Sequence, residues 1–197
     1  YFDGSGDYLV ATSGTDFVVG TGDFTIEGWA YTSDNTRLVG AYSQRLIDID
    51  NGNLGIWIQS STGYLSVNAG TSISSTTVFP ENQWNHFALT RSGSSLKLFL
   101  NGTEIVSATN TNNLGSSGAV SVGSRNQSSD GAFLGFIGDL RIVKGTALYT
   151  SDFTPPTAPV TEVSGTSLLC NFTNASIVDA TGRNVLETAG NAQVDTT

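Results

Sequence analysis

Residues 84–106, WNHFALTRSGSSLKLFLNGTEIV, decide the fold. Two runs of strand-forming residues flank Ser92-Gly93-Ser94-Ser95, and the chain reverses again at Asn101-Gly102. Glycine and the Asn-Gly pair readily take the positive φ angles that tight turns between antiparallel strands require. The stretch therefore predicts a β-meander at the centre of the molecule.

The composition extends this prediction to the whole chain. Among 197 residues there are 23 glycines and ten phenylalanines but only four prolines, which is typical of many short strands joined by tight turns. No stretch keeps a helical apolar period for long. A chain of this length commonly forms one large β domain with its own core.

Three further stretches complete a family resemblance. They are residues 1–9 (YFDGSGDYL), 24–29 (FTIEGW) and 135–142 (GFIGDLRI). With the meander, and in this order, they resemble laminin-G-like domains of the concanavalin A-like group, in particular those of bacteriophage tail-fibre and virion structural proteins. The resemblance implies an all-β, two-sheet antiparallel jelly-roll sandwich. It leaves function open, since this fold carries lectins, glycosidases, receptor ectodomains and viral surface proteins.

The chain divides into three parts at its proline cluster. We expect residues 1–152 to form the main body and residues 153–166, with three of the four prolines, to form a stiff connector. Residues 167–197 then either complete this sandwich or begin the next repeat. The chain contains no methionine, which indicates a processed chain or a piece of a longer one.

Charge and hydropathy exclude two kinds of partner. The formal net charge is −9, and the eight Lys and Arg residues are scattered singly, so we expect no nucleic-acid partner. No run approaches the roughly 20 apolar residues of a membrane span, so we expect no membrane insertion. The single cysteine, Cys170, is predicted to be a buried small hydrophobe.

The acidic residues do not form a catalytic pattern. Glycosidases of this broad fold place two carboxylates close together on one strand, whereas the five glutamates here are far apart. Asp48 and Asp50 share a strand face, but beside an Asn-Gly turn they are explained as a solvated hairpin end. The only histidine, His86, is expected to pack within the sheet. We therefore predict that the chain is not an enzyme.

The resemblance implies a calcium site at the rim of the sandwich. Asp3, Asp7 and Asp139, with Asp23 nearby in the expected loops, are the predicted ligands. Calcium takes about six to eight oxygen ligands, and carbonyls of Gly-rich turns can supply the rest. The alternative is that these aspartates cap turns or pair with arginines.

Aromatic residues beside polar groups are the candidates for carbohydrate binding. The residues that fit this role are Trp57, Tyr64, Tyr42 and Tyr31. Core packing is the alternative for each, and Trp29 and Trp84 are expected in the core before the others.

Four Asn-x-Ser/Thr triplets begin at Asn101, Asn126, Asn171 and Asn174. They count as glycosylation sites only if the source glycosylates its secreted proteins. Chains rich in Ser, Thr and Asn also generate such triplets by chance.

By the resemblance, the predicted function is a non-catalytic module on a virion surface or outside the cell. Its expected partners are other copies of itself, other virion or fibre proteins, and cell-surface glycans, which rim loops would contact. The alternative is a purely structural repeat or polymerising subunit of a fibre or phage particle that has no ligand.

Overall fold

The computed structural model describes residues 1–12, 15–115, 119–172 and 177–194. Asn174, one of the four candidate glycosylation sites, lies outside them. The strands are β1 (Phe2–Asp3), β2 (Tyr8–Thr12), β3 (Phe24–Tyr31), β4 (Leu38–Val39), β5 (Tyr42–Ile49), β6 (Leu54–Ile58), β7 (Tyr64–Ala69), β8 (Ser72–Val78), β9 (Asn85–Ser92), β10 (Ser95–Leu100), β11 (Thr103–Thr109), β12 (Ala119–Val122), β13 (Leu134–Lys144), β14 (Thr166–Cys170) and β15 (Leu186–Ala189).

The strands form two antiparallel sheets. Sheet I has the order β1-β13-β3-β9-β10-β11, with β14 also paired to β13. Sheet II has the order β15-β2-β12-β5-β6-β7-β8, with β4 also paired to β5. The predicted all-β sandwich is confirmed. In the described ranges, no helix has the length and apolar character needed to cross a membrane.

The meander that the opening stretch predicts is present as β9, β10 and β11. Gly93 turns the chain with a φ of 57°, and Asn101 and Gly102 turn it back with φ angles of 52° and 81°. Two successive positive φ angles are the requirement of a type I′ hairpin, which explains the Asn-Gly pair. On the inner side Phe87 and Leu89 are both 0% exposed.

The core fills the space between the sheets because alternate residues of each strand face inward. Ile26 and Ile142 of sheet I and Ile56 and Ile58 of sheet II belong to one buried cluster. Each such side chain contributes about 1.5–3 kcal/mol by leaving water. Cys170 is buried in this cluster, as predicted, and burial raises the pKa of its thiol.

The last part of the chain adds a strand to each sheet of this same sandwich. β14 pairs with β13, and β15 pairs with β2. The Tyr1 backbone nitrogen donates a hydrogen bond of 2.7 Å to the carbonyl of Gln193, so the beginning of the chain lies beside this segment.

Residues 145–165, which we call the strap, form no strand and lie against the outer face of sheet I. The Thr25 hydroxyl accepts from the Leu148 backbone N–H (2.8 Å). The Thr90 hydroxyl donates to the Tyr149 carbonyl (2.8 Å), and the Phe153 N–H donates to the Gly102 carbonyl (2.9 Å). These bonds hold the strap over part of the face and leave the rest open.

Candidate functional site

A buried polar network lies beneath the strap. Glu27, His86 and Arg141 point outward from the adjacent strands β3, β9 and β13. Glu27 Oε1 accepts from Arg141 Nε (2.9 Å), whereas Oε2 accepts from the Tyr149 hydroxyl (2.8 Å) and lies 3.2 Å from His86 Nε2. Burial acts to raise the pKa of Glu27, but the hydrogen bond with His86 and the charge of Arg141 outweigh it and hold the pKa below its ordinary value.

Aromatic rings of the strap seal this network from water. The Tyr149 and Phe153 rings are stacked with their centroids 3.6 Å apart, and the His86 ring meets Phe153 edge-on at 5.6 Å. Glu27 is 0% and His86 1% exposed. The network therefore fastens the strap to the sheet, and His86 has the packing role that the sequence predicts.

Beyond the strap, the outer face of sheet I is open around Trp84. This side chain is 49% exposed, so the expectation that it belongs to the core is wrong. Trp84 precedes His86 by two residues, and side chains two apart along a strand point to the same face, so Trp84 lies on the outer side of sheet I. Its ring centroid is 6.2 Å from those of both Tyr31 and Phe136, so the three rings form an aromatic cluster on this face.

A groove of about 380 Å³ runs beside Trp84. Trp29, Gly138, Asp139 and Asn171 line it, and strap residues 156–159 form part of its wall. A second hollow of about 200 Å³ shares Trp84, Gly138 and Asn171 and continues toward Phe136. Gly138 forms the floor of the groove and leaves space beneath the Trp84 ring. A Cβ atom added there would lie 3.8 Å from the ring, an ordinary contact distance.

Asp139 is held in an unusual backbone conformation. It lies in a β-bulge of β13, between Gly138 and Arg141, with a φ of 47°. Bulges redirect side chains, and a positive φ at a non-glycine residue is uncommon. The side chain is half-buried, and burial together with the charge of Glu27 raises its pKa. Among the described residues, none donates a hydrogen bond to this carboxylate.

Asn171 stands where the two hollows meet. Its side-chain nitrogen donates to the Val160 carbonyl (3.3 Å), while its Oδ1 is buried without a partner in the described part of the chain. The groove thus combines an exposed indole with one accessible carboxylate, that of Asp139, which accepts no hydrogen bond from the described residues.

Of the four aromatic residues predicted for carbohydrate binding, Tyr31 packs against Trp84, whereas Trp57, Tyr64 and Tyr42 lie elsewhere. Trp57 and Tyr64 share the outer face of sheet II, on the opposite side of the molecule. The Arg45 guanidinium lies 4.4 Å above the Trp57 ring, and that of Arg125 lies 4.2 Å above the Tyr42 ring. One face of each of these two rings is therefore covered, and their role in binding stays a prediction.

Asp48 lies on the same outer side of sheet II but is only 1% exposed, so the expected solvated hairpin end is wrong. β5 is an inner strand, because β12 pairs Ser121 with Asp48 on the side away from β6. The nearest cation is Arg45, whose Nε is 3.8 Å from Asp48 Oδ2. Burial raises the pKa of Asp48 despite this charge.

The structure brings two of the three predicted calcium ligands together. The Asp3 N–H donates to Asp7 Oδ2 (2.9 Å), and the Asn191 N–H donates to Asp7 Oδ1 (2.7 Å). With its nitrogen turned inward, the Asn191 amide also donates to both Asp7 oxygens and to Asp3 Oδ2. Asp139 is five residues along β13 from Leu134, the partner of Asp3, which is a separation of about 15 Å. No group of three His, Cys, Asp or Glu side chains suited to a metal occurs among the described residues.

Sequence comparison places this fold in a family. Residues 3–150 match the family model described as the concanavalin A-like lectin/glucanases superfamily, here in its laminin-G form. The chain belongs to this superfamily. No curated protein sequence matches it.

Solved structures of the superfamily fold show the same architecture at low identity. A Bacteroides ovatus protein to which carbohydrate binding has been ascribed has a TM-score of 0.74 and 16% identity, covering 93% of this chain and 57% of that one. Domain 4 of an extracellular arabinanase from Geobacillus stearothermophilus, solved with arabinotriose, has a TM-score of 0.51 and 20% identity over 67% and 65%. Domains LG4-5 of the mouse laminin α1 chain give 0.55 and 17% over 82% and 46%. This chain spans just over half the length of the first of these.

Within this superfamily fold, the groove residues follow from strand alternation. Side chains two residues apart on a strand share a face, so Trp29 lies on the face of Glu27 and Trp84 on the face of His86. The core residue Phe87, next to His86, faces the other way. This alternation along the strands could have been used to place both tryptophans outside the core from the sequence alone. What sequence patterns could not show is where the strap ends and leaves these residues uncovered.

Proposed function

We propose that this chain is a non-catalytic carbohydrate-binding and adhesive module, and that the groove beside Trp84 holds the glycan. The observation that supports it most is an exposed indole next to Asp139, a carboxylate that no described residue satisfies. Ligand sites commonly combine aromatic surface with a few acceptors or donors that converge on one place. The superfamily and the carbohydrate-binding neighbours point the same way.

The chemistry of a sugar matches the groove. The C–H face of a sugar ring packs on an indole as apolar surface, and its hydroxyl groups remain free to donate sideways. Asp139 is an acceptor at the groove edge. Hydrogen bonds to charged acceptors are the stronger kind, about 1.5–3 kcal/mol each. Trp84 would therefore provide the platform and Asp139 the orientation.

The proposed setting is outside the cell or on a virion surface, with cell-surface glycans as partners. The net charge of −9 keeps copies soluble and apart, and the buried Cys170 needs no disulfide partner. Tail-fibre or capsid proteins are the proposed neighbours in an assembly, on the resemblance in sequence alone.

A structural, polymerising role is the second candidate, and one observation favours it. Among the described strands, β8 is an edge of sheet II and pairs with β7 alone. Its sequence, SISSTTV, contains none of the Lys, Pro or acidic residues that usually protect an exposed edge strand. A second copy could add a strand there, and chromatography of the purified protein over a concentration series would show the assembly.

Calcium, where it binds, would be held by Asp3, Asp7 and Asn191 and not by Asp139. The Asn191 side chain ends within 3.1 Å of oxygens from both carboxylates, so its oxygen could turn toward a cation as readily as its nitrogen turns toward the carboxylates. The ion would tie the beginning of the chain to the segment that follows β15. Its contribution would be to stability, since the groove lies elsewhere.

The test is a glycan array probed with the wild type, Trp84→Ala and Trp57→Ala, each with and without calcium. We expect the wild type and Trp57→Ala to bind the same glycans, and Trp84→Ala to lose them. Loss of binding in Trp57→Ala alone would move the site to sheet II. Absence of binding by the wild type in both conditions would favour the structural role.

A further inference from the structure

We infer that the groove selects neutral glycans and rejects anionic ones, with Asp139 as the residue that determines this specificity. The inference rests on the proposed carbohydrate-binding function and adds the ligand class to it. It follows from the charge of the groove lining and from how Arg141, on the same strand as Asp139, is engaged.

Of the described residues that line the groove, Asp139 alone has a charged side chain, and its charge is negative. Asp139 is accompanied by two indoles, a glycine, Asn171 and the uncharged strap residues 156–159. Sites that bind carboxylates, sulfates or phosphates use Arg or Lys. Among the described residues that line this groove there is neither.

Arg141, two residues after Asp139 on β13, is not free to turn toward a ligand. Arg141 donates through Nε and Nη2 to Glu27 Oε1 and through Nη1 to the Thr161 carbonyl (2.6 Å). It is 6% exposed and lies beneath the strap. Turning it outward would leave Glu27 buried and without its main counter-charge, a strongly unfavourable change.

The position of Asp139 is set by its backbone. The bulge between Gly138 and Arg141 and the φ of 47° fix where its Cα lies relative to the groove floor. A half-buried carboxylate that lacks a donor accepts hydroxyl groups readily, because each bond replaces lost water contacts. An acidic sugar in the same place would bring a second negative charge against it, and the described lining residues include no cation to compensate.

The experiment is calorimetric titration with two matched sets of oligosaccharides. The neutral set contains arabino-, xylo-, cello- and galacto-oligosaccharides of three to six units, and the anionic set contains oligogalacturonates and sulfated galacto-oligosaccharides. The proteins are the wild type, Asp139→Asn, Trp84→Ala and Glu187→Gln. Glu187 is exposed on β15 of sheet II, so its variant removes one negative charge at a distance from the groove.

We expect the wild type to bind at least one neutral oligosaccharide, and to bind every anionic one at least tenfold more weakly. Asp139→Asn should weaken neutral binding at least tenfold and narrow the gap to the anionic set, while Glu187→Gln should match the wild type. Unchanged melting of Asp139→Asn would show that its fold is intact. If that variant melts early, Asp139→Glu, which keeps the charge, must retain the preference for neutral sugars.

Two results would overturn the inference. Anionic binding as tight as neutral binding and sensitive to Trp84→Ala would leave the proposed function standing and reject the ligand class. Full neutral affinity in Asp139→Asn would reject Asp139 as its determinant. If no glycan of either set binds the wild type, the proposed function fails and the inference fails with it.

Discussion

The two outer faces of the sandwich carry the same kinds of side chain and put them to different use. Sheet I has Trp84 with Asp139 and Glu27, and sheet II has Trp57 with Asp48. On sheet I the tryptophan is 49% exposed, whereas on sheet II an arginine lies 4.4 Å above the ring. The difference shows that the exposure of aromatic surface depends on which neighbouring groups cover it, more than on which residues are present.

The two buried carboxylates differ in the same way. Glu27 is satisfied by Arg141, His86 and Tyr149, and its pKa is held below its ordinary value. Asp48 has one arginine at 3.8 Å and an Oδ2 without a hydrogen-bond partner among the described residues, and its pKa is raised. Sheet I therefore has a charge network that holds the strap, whereas sheet II has a carboxylate, Asp48, whose charged form is disfavoured by burial.

The largest expected effect follows from removing the charge of Glu27. Glu27→Gln leaves Arg141 buried without its counter-charge, so we expect a loss of about 3–5 kcal/mol of unfolding free energy. That corresponds to a melting temperature lower by roughly 10 °C for a chain of this size. Asp48→Asn is the matched variant on sheet II, and we expect it to be neutral or stabilising at pH 7. Equal losses in calorimetric melting of the two variants would contradict the contrast between the faces.

The next effect tests the groove floor. Gly138→Val places a branched side chain beneath Trp84, at a strand position without a positive φ, so the fold should tolerate it. We expect glycan affinity to fall about tenfold, the loss of about 1.4 kcal/mol. Gly138→Ala is the control, since its Cβ would make an ordinary contact with the indole. Unchanged affinity in the valine variant would place the glycan outside the groove.

The pH dependence of stability should have opposite signs on the two faces. The pKa of Glu27 is lowered by folding, so its contribution is present above its unfolded pKa and is lost as pH falls through its folded pKa. The pKa of Asp48 is raised, so the folded state binds its proton more tightly and stability falls as pH rises from the unfolded to the folded pKa. Each group changes the slope by at most about 1.4 kcal/mol per pH unit.

Denaturant titrations between pH 3 and 7 would measure these slopes. Glu27→Gln should remove part of the stability gained as pH rises. Asp48→Asn should remove the loss of stability that Asp48 causes as pH rises, so that the stability of this variant increases more steeply with pH. A change of the same sign in both variants would show that the two carboxylates are in equivalent environments after all.

The same comparison shows what the sequence could and could not reveal. The meander β9 to β11 was predictable because Gly93 and the Asn-Gly pair determine local geometry. The exposure of Trp84 was not, since it depends on a strap more than 60 residues further along the chain. Asp48 likewise looks like a hairpin end, but Ser121 of β12 pairs beside it and buries it. Turns can be predicted from the local sequence, whereas burial by segments that are distant in the sequence cannot.

The smallest expected effect concerns calcium, and it separates Asp139 from the other two predicted ligands. Extracellular calcium sites bind with dissociation constants of about 10⁻⁴–10⁻³ M, so 1 mM calcium should add about 1 kcal/mol of stability. We expect the melting temperature to rise by roughly 2–4 °C in the wild type and in Asp139→Asn, but not in Asp3→Asn. If Asp139→Asn alone abolished the rise, calcium would lie in the groove and Asp139 would be its ligand. If calcium changed none of the three, Asp3 and Asp7 would be held by the Asn191 amide through hydrogen bonds, with its nitrogen turned inward.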